Sequence, residues 1–244
     1  EDADRITAFN CWLIRAVFFA VLYVGLVDAV ISFFRVEGML DELVGAALET
    51  ELGRPQFRGA TIHLPLIALG FVTAFFTRTL GFTWLALLIV LAELLIVLTR
   101  FVFSYEQSFM GDLVRFWYAA LFLFASAYTL LEEGHVRVDV FYATFGLKRR
   151  GLVNAVGAIV LGATLCWTIL VLGMGSPTSI IMAPLLNFEV TQTNFGMYVK
   201  YLMAGFLGIF AISMMIQFAA MMLDAVADRR GDPGHKDHEG AAVS

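Results

Sequence analysis

The residues of this chain able to do chemistry are few and far apart. Two carboxylates, Asp28 and Glu93, lie inside long apolar runs, where a charge is expensive and is normally paired or functional. Asp28 stands seven residues before Arg35 and Glu93 seven before Arg100, so at ~1.5 Å per residue both sit about 10 Å below the outer ends of their helices. Equal depth allows one shared polar site, which Arg100, Arg115 or Lys200 could neutralise. Three readings stay open: a structural contact within the chain or to a partner, a proton or sodium pathway, or a carboxyl kept neutral. Haem ligation would need two facing histidines, but His63 and His135 fall at opposite ends of a layer ~30 Å thick. A haem-b subunit of a redox complex is therefore the weaker alternative. Cys11 and Cys166 read as small packing residues, not as a disulfide or zinc framework. His235 and His238 lie in a polar tail and bind a metal weakly at best. No cofactor, no metal and no nucleic-acid partner are expected.

The elements that must position these groups are membrane helices. The 244 residues are 60% hydrophobic and 15% charged, with a mean hydropathy of +0.82. A water-soluble domain carries about a quarter charged residues. Several runs exceed the ~18 apolar residues of a spanning helix, and alternating strands of a membrane barrel are absent. Because hydrocarbon offers no partner to a backbone N–H or C=O, continuous helices are required. Six are expected: Trp12–Phe34, Thr61–Thr77, Phe82–Phe103, Leu113–Leu131, Leu152–Gly175 and Met197–Leu223. The fold class is an all-α integral membrane protein with about six spans and an amphipathic surface helix. The first helix does not read as a signal peptide, since it lacks a small-residue cleavage site and contains Asp28. The chain opens at Glu1 and not at Met, which leaves room for residues upstream.

Charge orients the helices. The Leu131–Leu152 connection carries Arg137, Lys148, Arg149 and Arg150, the tail carries Arg229, Arg230 and Lys236, and Ser176–Gly196 carries no Lys or Arg. The positive-inside rule then puts the first connection and both termini in the cytoplasm and Ser176–Gly196 outside. Arg35, Arg54 and Arg58 fall outside, against the rule. Within Arg35–Gly59, Leu40, Leu43, Val44, Ala47, Leu48 and Leu52 recur at helical spacing, with Asp41, Glu42, Glu49 and Glu51 on other faces. This reads as a helix on the outer membrane surface, its acidic face either solvated or docking a partner protein.

Between the fourth and fifth helices stands Gly134-His135-Val136-Arg137-Val138-Asp139-Val140-Phe141-Tyr142, with Lys148-Arg149-Arg150 after it. Arg100-Phe101-Val102-Phe103 closes the third helix. Arg-aromatic-x-Phe, a connection, a span, Gly-His-x-Arg-x-Asp, basic residues and further spans resemble the DctQ-type small membrane subunit of tripartite ATP-independent periplasmic (TRAP) transporters. The order agrees over roughly Leu85–Asp224. The Ser104–Phe109 connection departs from the family's Trp-Ser-Glu-Glu style, and two N-terminal helices exceed its usual four spans.

The resemblance implies a non-catalytic subunit in the bacterial inner membrane. It would brace a large membrane subunit holding the substrate and ion sites, and help receive a periplasmic substrate-binding protein. Ion-coupled uptake of an organic acid, with sodium as the coupling ion, is the implied activity. Arg100, Gly134, His135, Arg137 and Asp139 are then motif residues, anchoring the surface or contacting another subunit or lipid. The implied division is residues 1–80 as an N-terminal extension, 81–224 as the four-helix unit and 225–244 as a disordered tail. The extension is expected to pack beside the unit, with Gly25 allowing close approach and the Thr77–Phe82 turn making a helical hairpin.

Overall fold

A computed structural model describes residues 2–79, 81–105, 107–131, 142–190 and 196–230. Helices α1 (Asp2–Val36), α2 (Leu40–Val44), α3 (Ala46–Leu52) and α4 (Pro55–Arg58) come first. A π-helical turn, Gly59–His63, joins α4 to α5 (Leu64–Phe76). Then follow α6 (Phe82–Val102), α7 (Ser108–Leu131) and α8 (Leu147–Gly157). A second π-helical stretch, Ala158–Ala163, leads into α9 (Thr164–Met174), and α10 (Met182–Asn187) and α11 (Lys200–Arg230) complete the order. No strand occurs among the described residues. Six continuous helices are long and apolar enough to cross a membrane: Asp2–Val36, Pro55–Phe76, Phe82–Val102, Ser108–Leu131, Lys148–Met174 and Lys200–Ala227.

The six expected spans are all present, and most run longer than their apolar cores. At ~1.5 Å per residue α1 is about 50 Å long, well beyond the ~30 Å of hydrocarbon. α11 continues through Arg230, seven residues past its expected end at Leu223, so the first part of the supposed tail is helical. Apolarity marks where a helix meets lipid, whereas the hydrogen-bonded helix continues into water where polar side chains allow.

α1 lies at the centre, against α5, α7 and α11. Ile14, Val17, Phe18, Val21 and Val24 enter one buried cluster with Phe116, Trp117 and Phe124 of α7 and Phe206 of α11. Gly25 does admit a close approach: a Cβ there would stand 2.2 Å from Trp117 Nε1. Gly70 does the same for α5, because its Cβ would fall 2.5 Å from the Ala20 nitrogen. Without water to expel, such close backbone approach is what holds membrane helices together.

The hairpin expected from the Thr77–Phe82 turn does not form. α5 packs on α1, and α6 turns Leu85, Ile89 and Ala92 toward α7, so α5 and α6 make no extended contact. Chain proximity gave way to the better surface each helix found elsewhere. The surface helix is also altered. Gly45, at φ +83°, splits it into α2 and α3, a conformation that favours glycine. Leu40 and Leu52 are buried at its two ends, while Leu43 and Leu48 stay 59% and 41% exposed, leaving an apolar face free for a bilayer surface.

A buried polar cluster as candidate functional site

The π-helical turn at Gly59–His63 sets up the main polar site. It changes the register between α4 and α5, so that Arg58 and His63 both face α1. Asp28 Oδ1 accepts hydrogen bonds from Arg58 Nη1 at 3.0 Å and His63 Nε2 at 3.1 Å. Its Oδ2 accepts the Tyr198 backbone N–H at 2.9 Å. Arg58 also donates through Nε to the Leu52 carbonyl at 2.9 Å. The side chains of Asp28, Arg58 and His63 are fully buried.

One assignment of protons fits the bonds among Asp28, Arg58, His63 and Tyr201, with Arg58 Nη2 left without a hydrogen bond against the Tyr198 ring. With Asp28 ionised and Arg58 charged, a neutral His63 donates from Nε2 to Asp28, and its Nδ1 accepts from the Tyr201 hydroxyl at 2.8 Å. The cluster is then neutral as a whole, which a low-dielectric interior requires. Both ring nitrogens of His63 are engaged, so neither is free to ligate a haem iron.

Aromatic rings and the chain before α11 close the site. The Arg58 guanidinium lies 4.1 Å from the Tyr198 ring centroid, and Arg35 lies 4.6 Å from the same ring. Arg35 Nη2 donates to the Gly196 carbonyl at 2.8 Å, and Tyr198 Oη to the Gly53 carbonyl at 3.0 Å. From α7, Asp112 accepts the Met197 N–H at 3.2 Å. Phe188 takes φ +48°, a costly backbone for an aromatic residue, and sets its ring against Gly59 and Tyr201. The segment before α11 is thereby tied to α1, α4 and α7.

The shared site expected for Asp28 and Glu93 is not formed. Asp28 is neutralised by Arg58 and hydrogen-bonded by His63, while Arg115 pairs with Asp112 and Lys200 with Glu189. Glu93 is exposed on α6 and has no hydrogen bond or ion pair among the described residues. Equal depth did not bring the two together because they lie on helices whose facing surfaces differ. Arg100 is exposed in the last turn of α6. Asp41 and Glu42 are exposed, Glu49 and Glu51 half-buried, and Glu51 pairs with Arg54 at 2.8 Å. Gly134, His135, Arg137 and Asp139 lie outside the described residues.

Sequence reasoning missed Arg58, His63 and the Tyr198 N–H as partners of Asp28, and with them Ser32 and Tyr201, which bond Arg58 and His63 in turn. A signal was present. Arg35 and Arg58 broke the Lys/Arg asymmetry, and both are occupied internally at this end of the bundle. An arginine spent as a buried counter-ion does not report on topology.

Six spanning helices around a buried core define a multi-pass α-helical membrane protein. Its residues 86–228 match the family of tripartite ATP-independent periplasmic transporters, DctQ component. That is more than half of the chain, and the chain belongs to this family. Comparison with curated proteins and with solved structures finds no match. α1 to α5, which carry Asp28, Arg58 and His63, precede the matched region.

Proposed function

We propose that this chain is the non-catalytic scaffold subunit of a TRAP-type secondary transporter in the inner membrane. It braces the large membrane subunit through the outward face of α6 and helps dock the periplasmic substrate-binding protein. Family membership supports the transporter role. The observation that carries the bracing role is Glu93. It is the twelfth of 21 residues in α6, about 16 Å from one end and 13 Å from the other at ~1.5 Å per residue. An exposed carboxylate at mid-membrane needs a donor, and none of the described residues supplies one. Leu91, Leu94 and Leu98 flank it on the exposed side. The occupant of that face is a helix of the large subunit bearing a hydrogen-bond donor at the same depth.

The Gly134–Arg150 block and both termini lie in the cytoplasm on this reading, with the α2–α3 segment outside. Gly134, His135, Arg137 and Asp139 contact the large subunit or lipid phosphates there, and Asp41, Glu42, Glu49 and Glu51 face the binding protein. Uptake is of an organic acid and is coupled to sodium through sites in the large subunit. Co-purification tests the bracing. Glu93→Gln keeps an acceptor and the shape, so the complex forms and the sodium dependence of uptake is unchanged, whereas Glu93→Leu reduces co-purification at least tenfold. Altered sodium stoichiometry with assembly intact in Glu93→Gln would move this residue onto the transport pathway and refute the bracing role.

A further inference from the structure

A cleft of about 380 Å³ lies between α1, α5, α11, the end of α9 at Met174 and α10 with Ile181 before it, with Phe116 of α7 at its floor. Every side chain lining it is apolar. Val17, Val21, Val24 and Phe206 form buried walls, whereas Met174 and Ile212 on the rim are 38% and 40% exposed. The cleft therefore opens sideways, between α5 and α9, which make no extended contact with each other. Gly205 and Gly208 of α11 both line it, and their lack of side chains lets Leu185 and Met174 close on α11 at its edge.

Size and chemistry narrow what fills it. The lining runs from Leu13 to Val24 on α1 and from Leu202 to Ile212 on α11, about 15 Å on either helix at ~1.5 Å per residue. That is half of the ~30 Å hydrocarbon core, the depth of a single leaflet. A further α-helix of that length, ~10 Å across, occupies roughly 1,200 Å³, more than the about 1050 Å³ of open space that the cleft offers with its mouth included. Water is excluded, because each molecule needs two to four polar partners. An empty cleft would forfeit dispersion contacts along its walls. We infer that the cleft is a binding site for one acyl chain of a membrane phospholipid. The polar cluster of Asp28 and His63, one turn beyond Val24 and Ile67, marks the end at which the chain stops.

The position gives this lipid a role. α1 and α5 precede the family-matched region, while α7, α9 and α11 belong to it. The bound chain fills the seam between the two parts and holds the additional helices in place. This inference does not depend on the transport reading, and its test reads lipid contact alone.

The full chain is placed in nanodiscs of phosphatidylethanolamine and phosphatidylglycerol, doped with a phosphatidylethanolamine bearing a mid-chain diazirine. After irradiation, labelled peptides are mapped by mass spectrometry. Label at Ile67, Phe71, Met174 or Ile209 is expected at least fivefold above that at Leu94 and Leu161, which are exposed elsewhere. Ile209→Trp, which fills the cleft, brings cleft labelling down to that background and leaves Leu94 and Leu161 unchanged. Cleft labelling no higher than at Leu94 and Leu161 overturns the inference, as does labelling insensitive to Ile209→Trp. If that variant does not accumulate, the distribution in the unsubstituted chain decides. Irradiating the complex with the co-purified membrane partner separates a protein occupant: loss of cleft label on assembly would mean that a partner segment fills it, and would also overturn the inference.

Discussion

Removing the Asp28–Arg58 pair whole should cost far less than the sum of breaking it from either side. Both side chains are fully buried and 3.0 Å apart. Asp28→Leu leaves a guanidinium without its counter-ion, and Arg58→Met leaves the carboxylate without its own. Removing one partner of a buried pair typically costs about 3–5 kcal/mol, because the remaining charge is stranded. The double variant strands no charge. It still orphans the Tyr198 N–H, the Leu52 carbonyl and one His63 nitrogen, which lose partners at 2.9, 2.9 and 3.1 Å. Unsatisfied groups of that kind cost about 1–3 kcal/mol each, but every one of them is also orphaned in one of the single variants, so they cancel from the cycle and only the stranded charges remain in it. The two substitutions should therefore couple by at least ~3 kcal/mol, far above the ~0.5 kcal/mol within which independent sites add. Reversible unfolding in mixed micelles, driven by rising dodecyl sulfate fraction and followed by Trp fluorescence, measures all four corners of the cycle. Trp117 reports on this core directly, since it is buried against Gly25 three residues from Asp28. Losses that simply add would refute the pairing as the source of stability.

Other expectations follow from particular contacts. Gly25→Val drives a side chain into the Trp117 indole, at 2.2 Å from Nε1 for the first carbon alone, and should destabilise by about 1–3 kcal/mol in the same unfolding assay. Thr144→Cys should resist a membrane-impermeant thiol reagent in intact cells while Asn187→Cys reacts; labelling of Thr144→Cys from outside would reverse the proposed orientation. Charge reversal at Asp41, Glu42, Glu49 and Glu51 should slow association of the periplasmic binding protein about tenfold at low salt and flatten its salt dependence, read by stopped flow. An unchanged rate would leave α2 and α3 as a membrane-surface brace only.

Membership of the fold class was legible in the sequence because the bilayer imposes it. A run of some twenty apolar residues has only one way to satisfy its backbone in hydrocarbon, so six helices could be placed without any knowledge of their neighbours. The family was legible for a different reason: short polar motifs between spans stand out against an apolar background. Partnership between helices was not legible. α1 is apolar on nearly every side, so its sequence does not say which face meets α5, α7 or α11, and the hairpin expected from the Thr77–Phe82 turn failed on that point. The turn at Gly59–His63 carries no pattern that announces a π-helix, yet it alone brings Arg58 and His63 to Asp28. Depth along a helix can be counted from the sequence, and it put Asp28 and Glu93 level. Rotation about the helix axis is set by packing, and packing buried one carboxylate among three donors and turned the other outward.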